Sequence, residues 1–296
     1  MNYYRVYGLN IASEINFPDE KSKLDPGKPD VIIKLGKFDF SSSKEIVKDD
    51  LFWINKDKND YFLYWKEVGT FKVSEREIIV SPEKDVDEYT LNSYIIGPVL
   101  AAFLHQKGLL VLHASAVKID DGAVAFLGYS GIGKSSVAMA LNKKGYPLVT
   151  DDILVIQMDN EMPLVLPGLS QTKLSSEMIN FTWNRKITPK ITVGPEDRFY
   201  CAVSNFSKDP LPLKKIYILD ESENSHNTSS SLQEMLMGLI HNSYCFIMFQ
   251  NKAKSLNLRQ CSKLMENTAV NLLKVNKSIE ELPELVKKIE DDVFIS

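Results

Sequence analysis

Short runs of aromatic and β-branched residues dominate the first 85 positions. Residues 3–11, 31–35, 61–65, 70–73 and 78–80 read as strands, and polar, turn-rich stretches at 21–30 and 39–44 separate them. In one of these runs, Tyr61, Phe62, Tyr64 and Trp65 fit strand residues that face a core or a neighbouring domain better than they fit an open binding surface. The pattern changes at Asp87. Residues 87–107 predict one helix, with Asp87 as N-cap, a bend at Pro98 and Gly108 as terminator. Two strands follow, at 109–119 and 123–127, joined by Asp120-Asp121-Gly122. So short a turn predicts an antiparallel pair. Residues 135–144 read as a helix with Val137, Ala138 and Leu141 on one stripe, stopped by Gly145. Strands at 147–150 and 153–158 then flank Asp151 and Asp152. Residues 221–230 are rich in Ser, Asn and Glu and read as a surface loop. Beyond it the pattern predicts a helix at 232–240, a strand at 244–249 and a helix at 264–273. A last helix starts near Ser278, with Glu280 and Glu281 in its first turn and Lys287 and Lys288 near its end, as the helix dipole favours. No solenoid period is present. The whole predicts two domains: a β-rich N-terminal domain over 1–85, and an α/β domain over 86–296 that ends in helices.

The bulk numbers narrow the class. A chain of 296 residues, 44% hydrophobic, can bury a large core or fill two domains. Its net charge of −4 supplies no strong basic field, so no nucleic-acid partner is expected. Cys201, Cys245 and Cys261 show no C-x-x-C spacing, and so sparse a set fits a reducing compartment. The first ten residues lack a basic segment followed by an apolar run, so no signal peptide is expected. The apolar stretch at 94–104 is too short to span a bilayer, and the one at 232–249 carries Gln233, Glu234, His241 and Asn242. No membrane partner is expected, and a cytoplasmic location is.

The chemistry concentrates at Gly128-Tyr129-Ser130-Gly131-Ile132-Gly133-Lys134-Ser135, which is a complete G-x-x-x-x-G-K-[ST] phosphate-binding loop. Its glycines let successive backbone N–H groups turn inward around a phosphate chain. Lys134 can reach the terminal phosphates, and the Ser135 hydroxyl can ligate Mg²⁺. Candidate nucleotide-binding residues are thus Gly128, Ser130, Gly131, Ile132, Gly133, Lys134, Ser135 and the adjoining Ser136. The helix after the loop aims its positive dipole end at the same place. Asp151 and Asp152 stand at the end of a neighbouring strand, where such a loop needs an acidic group. One carboxylate can serve the metal and the other can take a proton from an attacking hydroxyl. The alternative for the pair is an ordinary turn. His113 sits on the strand expected to pair with the loop strand. It is either a satisfied core histidine or a group near the phosphates.

The blocks His113-Ala114-Ser115-Ala116-Val117, residues 128–135 and Leu148-Val149-Thr150-Asp151-Asp152 resemble, in order and spacing, the catalytic domain of HPr kinase/phosphorylase and its relatives. That fold is itself similar to the nucleotide domain of phosphoenolpyruvate carboxykinases. Pro167-Gly168-Leu169, Lys173-Leu174 and the run from Pro210 to Tyr217 are more like a branch of peptide-maturation kinases, some of which phosphorylate the C-terminal serine of a lasso-peptide precursor. The opening run from Tyr4 to Ile15 also resembles that branch. The resemblance implies ATP and Mg²⁺ as cofactors. It gives Lys134 the phosphates, and Ser135 and Asp152 the metal. Asp151 becomes the base toward a serine hydroxyl, with His113 beside the acidic pair; the two aspartate roles are exchangeable. Two departures matter. The family carries Glu directly after the loop serine, where this chain has Ser136, and no Glu-x-Arg signature stands in the matching region, Lys173 being the nearest cation. Lys173 or Arg198 can neutralise a transferring phosphate; each is otherwise a solvated surface cation.

The expected fold class is therefore α/β: an HPr kinase/phosphoenolpyruvate-carboxykinase-like P-loop domain with a smaller β-rich N-terminal domain. The expected activity is an ATP-dependent serine kinase of a precursor peptide or protein, with a homo-oligomer left open. Alternatives are an HPr kinase proper, a kinase of free serine, a P-loop switch ATPase and a binder with a degenerate site. The chain carries no L-S-G-G-Q-like signature and no N-K-x-D after the loop.

Overall fold

The computed structural model describes residues 1–17, 28–38, 45–48, 52–57, 60–158, 162–182, 190–193, 196–221, 231–244, 246, 251–276 and 278–295. The turn-rich stretch at 39–44, most of those at 21–30 and 221–230, Cys245 and most of the strand expected at 244–249 lie outside the described residues. The chain divides into two compact units. One takes Met1–Val111 with Tyr244–Lys254, the other Leu112–Ser243 with Ser255–Ser296.

The first unit holds an eight-stranded sheet of β1 (Asn2–Val6), β2 (Leu9–Ser13), β3 (Val31–Leu35), β4 (Glu45–Lys48), β5 (Phe52–Asp57), β6 (Asp60–Trp65), β7 (Gly69–Val73) and β8 (Glu77–Pro82). Its spatial order is β1-β2-β3-β8-β7-β6-β5-β4. Where the spacing predicts one strand over 3–11, the chain folds back at Tyr7 and Gly8, whose φ values are 51° and 72°. Two positive φ angles make the primed turn that a tight hairpin requires. Tyr61 and Phe62 are buried, and the Trp65 ring packs on Phe71 and Tyr94, so these aromatics serve the core.

The helix expected over 87–107 is interrupted. Asp87 caps it, its Oδ1 accepting from Thr90 N at 2.8 Å. A π-helical turn at Ile95–Val99 then separates α1 (Glu88–Tyr94) from α2 (Leu100–Gln106). Pro98 has no N–H to donate, and Gly97 leaves helical geometry with ψ at −112°, so the bond ladder slips there. This segment groups with the first unit, whereas the composition boundary set it at the head of the second. The Trp65–Tyr94 contact and a 2.9 Å bond from Asn92 Nδ2 to Asn16 O tie it there.

The second unit is built on β9 (Leu110–Ile119), β10 (Gly122–Leu127), β11 (Leu148–Thr150), β12 (Ile153–Gln157), β13 (Leu164–Leu166), β17 (Leu211–Asp220) and β18 (Ala269–Lys274). Between them in the chain, β14 (Gln171–Ser175), β15 (Lys190–Val193) and β16 (Glu196–Ala202) form a small separate sheet. β9 and β10 make the antiparallel hairpin the short turn predicts, with Asp120 at φ 51° in the turn. β10 pairs parallel with β17, and β17 parallel with β18. Pairing runs on from β17 through β13 and β12 back to β9, so the sheet closes on itself.

The helices that follow in the chain are α3 (Lys134–Lys144), α4 (Ser176–Thr182), α5 (Leu232–His241), α6 (Asn251–Asn267) and α7 (Leu282–Ile295). The helix expected at 264–273 is divided between the end of α6 and β18, because a free edge of β17 recruits residues 269–274. α7 runs on past Lys287 and Lys288, which therefore lie mid-helix. Alternate residues of a strand face opposite ways. Val124, Phe126, Tyr217 and Leu219 join Val137 and Leu141 of α3 and Leu282 and Ile289 of α7 in one core. On the opposite face, a Cβ on Gly238 of α5 would stand 2.6 Å from Ile218 Cδ1, so α5 lies close on β17. Cys201 and Cys261 are buried free thiols. Among the described residues no helix is long and apolar enough to cross a membrane.

Candidate active site

β10 ends at Leu127 and α3 begins at Lys134, with the glycine loop between them. Gly128, Gly131 and Gly133 have φ values of 149°, 89° and 110°, a region that side chains disfavour. A Cβ on Gly131 or Gly133 would meet nothing within 4 Å. Backbone conformation, not crowding, demands glycine there, and the loop backbone borders open space. Gly133 caps α3 without a side-chain bond, so no cap side chain takes the first N–H groups of that helix. Lys134 is buried and folds back over the loop, donating to Gly128 O at 2.8 Å and Tyr129 O at 3.0 Å. Burial pushes its ammonium down to about 8, against the pull of Asp152 and Asp151.

β9 brings the other groups in, because it pairs with β10 on one side and β11 on the other. Asp151 follows β11. Its Oδ1 accepts from Ser135 Oγ at 2.8 Å and Ser115 Oγ at 2.5 Å. Its Oδ2 accepts from Thr172 Oγ1 at 2.5 Å and, more weakly, from Lys173 N at 3.4 Å. Both oxygens are thus engaged. Asp152 adopts a left-handed conformation, φ 69°. It turns to His113 instead: Nε2 lies 3.1 Å from Asp152 Oδ1, with side chains 30% and 38% exposed. Among the described residues nothing hydrogen-bonds Asp152 Oδ2. Burial works against the Asp152 charge, but the His113 hydrogen bond and the charges of Lys173, His113 and Lys134 outweigh it and hold the carboxyl well below the usual range. Lys173 sits over the Tyr200 ring at 5.0 Å. Burial opposes its charge too, yet Asp152, Tyr200 and Asp151 raise it above the ordinary lysine value.

One cleft of about 260 Å³ gathers these groups. His113, Ser130, Gly131, Ile132, Gly133, Lys134, Ser135, Ser136, Asp151 and Asp152 all line it, as do Lys173 and Arg198. Gly128 does not line it; its carbonyl holds the Lys134 ammonium. Ser115 and Thr172 were not singled out by sequence. Ser115 lies two residues from His113 on β9 and so shares its face, a period that was there to be read. Thr172 has no motif around it; it reaches Asp151 from the separate small sheet, across 21 residues of chain. The donor set suits a phosphate chain and a hard divalent cation, since it offers loop amides, a buried ammonium and hydroxyl and carboxylate oxygens.

No family model matches the chain. The stretch of similarity is to HPr kinase/phosphorylases. Over 56 residues, 19% of this chain, it is 41% identical to the HPr kinase/phosphorylase of Chlorobium phaeobacteroides (strain BS1), covering 16% of that protein. Over 93 residues, 29% of this chain, it is 30% identical to that of Listeria monocytogenes serotype 4a (strain HCC23), covering 30% of it. The match thus spans less than a third of these relatives. Among solved structures, the Hpr(Ser) kinase/phosphatase from Coxiella burnetii is 16% identical over 41% of this chain and 66% of its own, with a TM-score of 0.29. So low a score leaves the fold to be judged on its own geometry.

Proposed function

We propose that the chain is an ATP-dependent serine kinase that moves the γ-phosphate to a serine hydroxyl of a peptide or protein. One observation carries this reading. Ser135 of the glycine loop bonds to Asp151 at 2.8 Å in the cleft that also holds Lys134 and the His113–Asp152 pair. The partial likeness to HPr kinase/phosphorylases supports it.

The loop amides and Lys134 would take the triphosphate, and Ser135 and Asp151 would hold Mg²⁺. When bound, Mg²⁺ neutralises charge on the β- and γ-phosphates. Resemblance assigns the metal to Asp152 and the base to Asp151; the geometry favours the exchanged order. Asp151 is already committed to three hydroxyls, one of them the loop's own. Asp152 keeps an open oxygen on the cleft and is steered by His113. In this reading Asp152 orients the acceptor hydroxyl and receives its proton, and His113 positions Asp152.

A carboxylate held so low is a weak base. Two things ease this. Phosphoryl transfer has a loose transition state, in which alignment matters more than early proton removal. Lys134 and Lys173, which depress Asp152, would also face the phosphates, and a bound anion raises a neighbouring carboxyl. The acceptor we favour is a precursor peptide ending in serine, on the resemblance of the opening segment and the lack of a Glu-x-Arg pair in the region that matches the family's.

The test is γ-phosphate transfer from ATP–Mg²⁺, read by mass spectrometry on such a peptide, on HPr and on free serine. Phosphate on the peptide is the expected result. Asp152→Asn should cut transfer by about 10²-fold or more with ATP still bound. ATP cleavage without label on any acceptor would refute the kinase reading and favour a switch ATPase.

A further inference from the structure

The cleft does not end at the phosphate loop. β10, β17 and β18 run parallel, so their C-terminal ends share one edge of the sheet. The glycine loop leaves β10 at that edge. Val275 leaves β18 there too, its N–H donating to Asp220 O at 2.9 Å. One strand lies between them, so at about 4.8 Å per strand they stand roughly 10 Å apart, a span that a ribose can bridge.

The cleft wall at this end comes from Met178, Val275, Asn276, Ser278, Ile279 and Leu282. Met178, Val275 and Leu282 are buried. The two polar side chains are largely engaged by their own turn. Asn276 Nδ2 donates to Glu281 Oε2 at 2.6 Å, and Ser278 Oγ accepts from Glu280 N at 3.2 Å. Val275, Ile279 and Leu282 thus give this end an apolar patch beside a phosphate site, which suits the face of a flat heterocycle.

We propose that this recess holds the purine base of the bound nucleotide, with Ile279 as a wall that sets affinity. The assignment rests on the kinase reading for the phosphates. Competition against a fluorescent ATP analogue, with ATP–Mg²⁺ and inorganic tripolyphosphate–Mg²⁺ as the two competitors, tests it. Wild-type protein is expected to bind ATP more tightly than tripolyphosphate. Ile279→Ser should weaken ATP about five- to tenfold and leave tripolyphosphate unchanged, because it removes apolar contact at the base end alone. Ile279→Leu, which keeps the apolar wall, should retain the wild-type ratio. Unchanged tripolyphosphate affinity also reports an intact fold. Equal loss for both competitors, or loss for neither, overturns the assignment. If tripolyphosphate fails to compete at all, or if Lys134→Ala leaves its affinity unaltered, the phosphate site itself is refuted and the recess falls with it.

Discussion

Asp151 and Asp152 are neighbours in sequence, yet replacing each with asparagine should have opposite signatures. Asp151 accepts three hydroxyl hydrogen bonds. Asparagine keeps one acceptor oxygen, so one or two of these bonds are lost, at about 1.5–3 kcal/mol each for a charged acceptor. The hydroxyls can turn to accept from the new amide, which returns part of the loss. A net cost of about 2–3 kcal/mol follows, or roughly 5–10 °C in melting temperature for a unit of this size. Among the described residues, the Asp152 side chain is hydrogen-bonded to His113 alone, at 3.1 Å, with both side chains about a third exposed. Solvent screening keeps that pair below about 1 kcal/mol. Asparagine also tolerates the left-handed backbone at φ 69°. Asp152→Asn should therefore melt within about 2–4 °C of wild type while losing transfer. Asp151→Asn should lose stability, and its remaining transfer should demand more Mg²⁺. Circular dichroism melts and single-turnover transfer at two Mg²⁺ concentrations separate the two. A larger fall in melting temperature for Asp152→Asn, or a wild-type melt for Asp151→Asn, would refute the division of roles.

Three further expectations follow from the same geometry. Lys134 is held down to about 8, so its charge is present below that pH and lost above it; ATP affinity should weaken between pH 7 and 9.5, at most about tenfold per unit, and Lys134→Arg should flatten the profile in calorimetric titration. In the first unit, burial holds His105 down to about 4, against the carbonyls of Tyr244 and Leu109. Its folded pKa lies below the unfolded 6.5, so the unfolded chain binds the extra proton. Stability is full above about 6.5 and falls toward pH 4, by up to about 3 kcal/mol, and urea melts of His105→Gln should lose that slope. Gly133→Ala meets no atom within 4 Å but must adopt φ 110°. The backbone strain alone, about 1–2 kcal/mol, should weaken ATP binding by roughly five- to thirtyfold; wild-type affinity would show that the loop relaxes at no cost.

Legibility tracked how local the determinant is. The loop, its flanking β10 and α3, and the β9–β10 hairpin are written in contiguous residues: glycines at the required φ, a two-residue turn, one apolar stripe. The paired aspartates were visible as a pair, but which one touches Ser135 depends on the left-handed turn at Asp152, and no spacing reports that. Thr172 and β18 were hidden for a related reason. Each is defined by a partner distant in the chain, Asp151 for one and β17 for the other. The π-helical turn was half visible: Pro98 announced a bend, while the departure of Gly97 from helical angles did not show.

Tyr244 belongs to the first unit although most of the second precedes it in the chain. Its N–H donates to Val111 O at 2.8 Å, and its carbonyl takes His105 Nε2 at 2.6 Å. During synthesis, the ribosome delivers α2 and the start of β9 well before this residue. At about 5–20 residues per second, roughly 7–27 s separate Val111 from Tyr244. For that interval His105 waits for the Tyr244 carbonyl, while the loop, the aspartates and the strands around them leave the exit tunnel. The order of translation therefore gives the phosphate loop and its aspartates a head start over the contacts that Tyr244 brings to the N-terminal unit. A circular permutant that places Tyr244 early would reverse it.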